Sequence, residues 1–298
     1  MLKSEKQNPR WSASRFGAYN SCRTKYLLTY IWQLVVIGKD IDVQEKGLAF
    51  HQIAEFMDST KTLEDLKNHA ATILEGYDFD QEKYPVIKAI PRFYLFWNEI
   101  IKPYEEQGFT VTKESWEYSA INKKSVVGAM DLLLINEVTK EAVIIDFKTG
   151  STAKINGYEN QLMLYAYMIK NKLKTKYDKI KTYAFFPMAG LKDEDVDDIE
   201  STRKFMLKTF KQLIFTEDQV KDMISEYTSL IKASENEDWD NLDLEQNASM
   251  AYHCNWCSFA GHPDYCPTTY KAGVRFARSN KIMTKEQLDI LKKEKQQS

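Results

Sequence analysis

SVVGAMDLLLI (Ser125 to Ile135) and AVIIDFKTG (Ala142 to Gly150) are two short runs rich in β-branched and aliphatic residues, and each carries one carboxylate, Asp131 or Asp146. An unpaired charge inside an apolar strand is expensive to bury, so each acid calls for a partner. Lys148 follows Asp146 by two residues, and on a strand such residues point to the same face. Two carboxylates and a lysine gathered at the edge of a buried sheet make a divalent-metal site with an ammonium group beside it. From the strands alone, a buried Asp–Lys ion pair with Asp131 at a turn accounts for the same residues equally well.

Working outward, FTVTKESWEYSA (Phe109 to Ala120) is a third strand-like run, and Tyr158 to Lys170 has helical spacing. IKTYAFFP (Ile180 to Pro187) returns as a strand, giving a β-β-β-α-β order, and Phe205 to Phe215 is read as one more strand. Upstream the chain is helical. WSASRFGAYNSCRTKYLLTYIW (Trp11 to Trp32) places Phe16, Tyr19, Cys22, Tyr26, Leu27 and Tyr30 on one face, and further helices are predicted over Lys46 to Met57, Thr62 to Leu74 and Pro85 to Gln107. Thr216 with Gln219 forms a capping box for a helix reaching Ser234, the polar run to Ser249 reads as a linker, and Thr284 with Gln287 caps a short basic terminal helix. This divides the chain into a helical N-terminal region (1–108), a core of sheet and helices (109–233) and a C-terminal region with linker, cysteines and basic helix (234–298).

The 298 residues are 43% hydrophobic, enough to fill a core without help from a metal. No apolar run approaches the roughly 18 residues that span a bilayer, and MLKSEKQNPR is neither a secretory nor a transit-type start, so no membrane partner and a reducing cytoplasm are expected. Net charge is −2, but it is unevenly spread. Residues 1–30 hold six Lys/Arg against one Glu, and residues 271–298 hold eight against three acids. Residues 190–250 between them hold sixteen Asp/Glu against seven Lys/Arg. Basic ends brought to one face would suit DNA, although solvated charge runs of this kind also occur in many enzymes.

Three of the four cysteines fall in HCNWCSFAGHPDYC (His253 to Cys266). In a reducing compartment they read as metal ligands sooner than as disulfides. Cys254, Cys257 and Cys266 supply three thiolates, and His253 or His262 would complete a local zinc knuckle. Cys22 would instead complete a four-thiolate iron–sulfur site, or it is simply an apolar residue of its helix.

GLAFH (Gly47 to His51) sets a histidine on a helix, and YENQLMLYAY sets Gln161 and Tyr165 one turn apart on another. Each alone has an ordinary structural explanation. In order, however, Gly47-x3-His51, Gly128-x2-Asp131, Asp146-x-Lys148-Thr149-Gly150 and Gln161-x3-Tyr165 resemble the RecB-like branch of the PD-(D/E)xK nuclease superfamily. Ser12-Ala-Ser-Arg15, followed by Cys22, Tyr26 and Leu27, resembles that branch's N-terminal helix. With the C-terminal cysteines the likeness extends to the iron–sulfur members, the CRISPR-associated RecB-like exonucleases and the nuclease domains of AddB-type helicase–nucleases.

The resemblance implies an α/β, restriction-endonuclease-like core with a mixed central sheet, a helical N-terminal region and a C-terminal cysteine-ligated cap. It implies that His51, Asp131, Asp146 and the Phe147 carbonyl bind Mg2+ or Mn2+, that Lys148 activates water or offsets phosphate charge, and that Gln161 and Tyr165 hold the DNA backbone or the geometry around it. It further implies a 4Fe-4S cluster on Cys22, Cys254, Cys257 and Cys266, with Zn2+ as the alternative. The cluster would join the basic ends, where Arg15, Arg23, Lys271, Arg275 and Arg278 are candidates for DNA binding. Asp146 is the shorter acid at a position where the superfamily also uses Glu, which leaves the number of metals open. Glu114 and Glu117 are candidates for extra acidic ligands, although solvated strand positions are the expectation. Aromatic stacking on bases by Phe93, Tyr94, Trp97, Trp256 or Tyr265 is weighed against core packing, which is commoner.

The expected function is metal-dependent hydrolysis of DNA, exonucleolytic on single strands, in recombination, repair, CRISPR adaptation or phage DNA metabolism of a bacterial, archaeal or phage-infected cell. The alternative is a non-catalytic DNA-binding or adaptor module with a structural zinc site. No P-loop pattern is present, so any unwinding falls to a partner such as a helicase or another recombination or CRISPR protein.

Overall fold

The computed structural model describes residues 10–37, 41–80, 82–83, 85–191 and 197–244, with Asn247, Cys254, Cys257, Phe259, Tyr265, Cys266, 281–284 and Gln287. Ser12 Oγ accepts the Arg15 amide at 3.3 Å and starts α1 (Ala13–Ser21). The single helix expected from Trp11 to Trp32 breaks at Cys22, whose backbone is extended (φ −163°, ψ 110°). The Cys22 sulfur accepts the Lys25 amide at 3.3 Å, so the chain restarts as α2 (Arg23–Tyr26) and closes in a π turn at Leu27–Ile31.

β1 (Leu34–Ile37), α3 (Ile41–Phe56) and α4 (Leu63–Glu75) follow, the last opened by a Thr62–Asp65 capping box. The predicted helix of 85–107 is a 3-10 turn, α5 (Ile90–Phe96), a π turn at Trp97–Ile101 and α6 (Lys102–Glu106). Pro103 lacks the N–H that a regular ladder needs, which accounts for the widened turn just before it.

β2 (Thr110–Ile121) and β3 (Lys124–Asn136) are joined by Asn122 and Lys123, both with positive φ, the geometry of a tight hairpin turn. β4 (Glu141–Phe147), α7 (Glu159–Leu173) and β5 (Ile180–Phe185) make the crossover unit read from the sequence. The strand expected over 205–215 is a correction: residues up to Thr209 belong to α8 (Ile199–Thr209), and only β6 (Phe210–Leu213) is extended. Asp198 caps α8, and Thr202, Met206 and Thr209 form its buried stripe. α9 (Glu217–Glu235) begins with the predicted Thr216–Gln219 box, and β7 (Lys281–Thr284) ends the described chain with the Thr284–Gln287 pair of capping bonds.

Among the described residues the main sheet runs β2-β3-β4-β5-β6, antiparallel between β3 and β4, parallel between β4 and β5, and antiparallel again between β5 and β6. It is the mixed sheet expected of the fold. β4 sits at its centre with every residue after Glu141 buried. No described helix is long and apolar enough to cross a membrane.

The chain groups into two compact units. One comprises Asp42–Ser119 and Val126–Met223. Its core centres on Phe50, Phe93, Phe96, Trp97, Phe147 and Phe185, with Phe96 stacked on Phe185 at 4.3 Å, so Phe93 and Trp97 serve the core and not a surface. The other comprises Met1–Ile41, Ala120–Ser125 and Ile224–Ser298. There Phe16 stacks on Tyr227 at 3.6 Å, Trp11 packs on Phe16 and Tyr26, and β1 pairs antiparallel with β7. The divisions expected at 108 and 233 thus differ from the observed grouping: residues 42–108, with His51, go with the sheet, and the first 41 go with the C-terminal residues.

Candidate active site

The β3–β4 ladder pairs Leu132 with Ile145, and one step further along it stand Asp131 and Asp146. Here the Phe147 amide donates to Asp131 Oδ2, a side-chain acceptor in place of a strand carbonyl. Asp131 Oδ1 lies 3.2 Å from His51 Nδ1, and Glu114 Oε1 lies 3.4 Å from the same nitrogen. Each of these three side chains offers a ligand atom within 4.8 Å of the other two. Gly47, one turn before His51, lies beside Thr149: a Cβ there would meet Thr149 Oγ1 at 3.4 Å, close to ordinary contact.

Glu114 corrects the expectation of a solvated strand position. Its φ is +46°, in the left-handed region that costs a non-glycine residue of order 1–3 kcal/mol. The bend turns its carboxylate to His51. Nothing in the alternation of KESWEY announces a positive φ at this position. Glu117 points elsewhere and pairs with Lys172 of α7 at 2.5 Å.

Asp146 is 3% exposed. Its Oδ2 is ion-paired with Lys148 Nζ, and its Oδ1 accepts from Gln161 Nε2 at 3.2 Å. Gln161 also accepts from Lys148 at 3.0 Å and donates to Tyr165 Oη at 2.8 Å; Tyr165 in turn donates to the Ala129 carbonyl at 2.6 Å. The amide of Gln161 therefore fixes the ammonium, the carboxylate and the phenol at once. Lys148 also lies 4.4 Å from the centre of the Tyr158 ring. Tyr165 approaches β3 so closely that only glycine fits at 128.

Burial pushes the Asp146 carboxyl up to about 6, the Asp131 charge adding to the effect and Lys148 opposing it. Burial alone would lower His51, but hydrogen bonds and charge from Asp131 and Glu114 outweigh it and raise the imidazole to about 10. Three carboxylates thus share one imidazole and one ammonium, an excess of negative charge that a divalent cation would neutralise. Hard oxygen donors with one imidazole suit Mg2+ or Mn2+. The donor set fits.

The six side chains singled out in the sequence fall into two groups, His51 with Asp131, and Asp146 with Lys148, Gln161 and Tyr165; the Phe147 N–H, donated to Asp131 Oδ2, links them, and Asp146 lies outside the His51–Glu114–Asp131 ligand group. Arg15 is a correction. It is 7% exposed, donates to the carbonyls of Arg10 (2.8 Å) and Tyr30 (3.3 Å), and lies against the rings of Trp11, Tyr26 and Tyr30, so it braces its helix and presents no cation to solvent. Arg23 is half-exposed, with Nε 3.5 Å from Glu237. Lys271, Arg275, Arg278, Trp256, His253 and His262 lie outside the described residues.

The four cysteines are buried. Cys254, Cys257 and Cys266 pack in one small apolar cluster with Phe259 and with Leu28 of the π turn after α2. Cys22 Sγ is 3.9 Å from the Asn247 carbonyl, and Thr24 Oγ1 donates to the Leu244 carbonyl at 2.9 Å, so the start of α2 is tied to the stretch that leads to Cys254.

No match is found among curated proteins. A sequence model of the PD-(D/E)XK nuclease superfamily matches residues 10–266, a span that runs from before α1 to Cys266 and contains every residue of the network above. The chain belongs to the PD-(D/E)XK nuclease superfamily.

Proposed function

We propose that this nuclease is a Mg2+- or Mn2+-dependent deoxyribonuclease that digests single-stranded DNA from an end. The observation that carries the reading is the convergence of the His51–Glu114–Asp131 ligand group with the Lys148–Gln161–Asp146 network in a PD-(D/E)XK chain. His51, Asp131, Asp146 and the Phe147 carbonyl would hold the cation, with Glu114 joining them. When bound, a divalent cation supplies polarisation of a phosphoryl oxygen and acidification of water. Lys148, oriented by Gln161, offsets negative charge that grows on the phosphate in the transition state. Gln161 and Tyr165 keep these groups in place. The single-strand and end preferences rest on the likeness to the RecB-like branch, as do a cytoplasmic setting in recombination, repair, CRISPR adaptation or phage DNA metabolism and a helicase or similar partner.

We read Cys22, Cys254, Cys257 and Cys266 as ligands of a 4Fe-4S cluster that staples the chain's two ends. Burial of all four, the packing of the last three on Leu28 and the pairing of β1 with β7 support this. Four thiolates are the ligand set of such a cluster, whereas zinc would require His253 or His262 to replace Cys22.

The test is digestion of end-labelled linear single strands, linear duplex and circular single strands with Mn2+ or EDTA, beside Asp146→Ala and Lys148→Ala. Metal-dependent loss of the linear single strand, absent in both variants and slow on circles, is expected. Equal inertness of wild type and variants on every substrate leaves the non-catalytic DNA-binding reading in possession.

A further inference from the structure

Lys148 directly follows β4, and its amide donates to the Phe185 carbonyl of β5 at 2.8 Å, so the backbone that carries the ammonium is fixed. Its four-carbon stem is flexible, and the position of Nζ depends on what meets it there. Asp146 is ion-paired with it, Gln161 Oε1 accepts from it at 3.0 Å, and the centre of the Tyr158 ring lies 4.4 Å away. The carboxylate and the amide belong to the network of the candidate active site. The ring has no part in that network, and its place beside the ammonium calls for a reason.

Tyr158 is half-buried and leads into α7. The residue before it, Gly157, has φ +97°, a conformation that suits glycine, so the turn that delivers the ring is built into the sequence. The Tyr158 amide donates to the Ile155 carbonyl at 3.0 Å, and its carbonyl accepts the Leu162 amide at 3.1 Å. The ring also lies near Phe186, 6.2 Å between centroids, and Phe186 is fully buried. A backbone held on both sides and a core neighbour thus present the ring to Lys148.

An ammonium is attracted to the electron-rich face of an aromatic ring, the more so where water is kept away, and the Lys148 side chain is only 16% exposed. The three neighbours are not equivalent. A divalent cation would draw on the Asp146 carboxylate and repel the ammonium paired with it. The Gln161 amide is already shared with Asp146 and Tyr165. A ring face offers no oxygen to a hard cation, so it competes for none. We infer that the face of Tyr158 is a positioning surface, which keeps the Lys148 ammonium at the site when Asp146 turns its charge to a metal ion. The inference rests on the nuclease reading above. Tyr158 acts through Lys148, and it does so with its ring and not its hydroxyl.

Two measurements test this, one with metal and DNA and one without either. With Mn2+, Tyr158→Phe is expected to keep kcat within about two-fold, and Tyr158→Leu to lower it about ten-fold with KM nearly unchanged. Phenylalanines of increasing fluorination, introduced at 158, keep the size of the ring but drain its face of electron density; log kcat is expected to fall with each added fluorine. In metal-free protein, urea unfolding of Tyr158→Leu, Lys148→Met and the double variant forms a cycle, and Tyr158→Leu is expected to shift the midpoint less once Lys148 is gone. Turnover indifferent to fluorination, or an additive cycle, overturns the inference and leaves the nuclease reading intact. Absence of hydrolysis in wild type sinks that reading, and the metal-free cycle then still upholds or overturns the hold of the ring on the ammonium.

Discussion

Gly128 lies so close beneath the ring of Tyr165 that a Cβ at 128 would stand 2.7 Å from Cε1 and 2.9 Å from Cδ1, with Met168 Sδ at 3.0 Å. No ordinary Cβ contact is that short, so strand and helix must part or the ring must turn. Either response pulls the phenol from the Ala129 carbonyl and from Gln161. Gly128→Ala is expected to cost about 1–3 kcal/mol in urea unfolding and to lower turnover as well. An unchanged midpoint would show that α7 can move off the sheet freely.

Gln161 touches Lys148, Asp146 and Tyr165 but carries no charge itself. Gln161→Ala is expected to reduce kcat about 10- to 100-fold, in line with loss of a supporting hydrogen-bond partner. Gln161→Glu introduces another acid beside Asp146 and should be no better. A loss confined to KM would contradict a role in fixing the lysine.

Glu114 and Glu117 provide an internal comparison on one strand. Glu114→Gln should weaken Mn2+ binding at least about ten-fold by calorimetry, since a charged donor leaves the ligand group. Glu117→Gln, which only releases Lys172, should leave it nearly unchanged. If the two behave alike, Glu114 is not a ligand.

Protons and metal compete at this site. Asp146 is raised to about 6 from its ordinary 3.8, and His51 to about 10 from 6.5. Both groups bind protons more tightly in the folded state, so the stability they contribute is full below the unfolded values and is lost as pH rises through the folded ones. The metal-free protein should lose stability between about pH 4 and 6 through Asp146, and between about pH 6.5 and 10 through His51. Mn2+ should stabilise it more as pH rises, because the ligands must shed those protons to bind. His51→Gln should flatten the upper window; a metal effect independent of pH in wild type would contradict the proton competition.

Cys22→Ser separates the two accounts of the cysteine cluster. Purified wild type is expected to be brown with a broad visible absorption, and the variant to be bleached and less stable. A colourless wild type holding one zinc ion, unaffected by Cys22→Ser, would contradict the iron–sulfur assignment.

The legible part of the fold was local. Apolar runs with turns between them set the order β2, β3, β4, α7 and β5, and the capping pair Thr216–Gln219 marked the start of α9. The site was legible where chemistry conflicts with burial: a carboxylate in each of two apolar strands, and a lysine two residues beyond one of them. The packing role of Arg15 is not legible, because a basic residue near a basic end gives no sign of the aromatic rings that enclose it. Nor is the helical start of 205–215 legible, because α8 hides its buried stripe among polar residues.

The sequence by itself determined which atoms are available to the site and on which kind of element each resides, since strand and helix periods follow from side-chain spacing alone. Only the tertiary structure decided that Glu114 turns in with a positive φ and that Arg15 is spent on packing. It also decided that β1 pairs with β7. Each of these depends on what lies opposite in space, and one residue of bulge reverses a strand's faces without any mark in its composition.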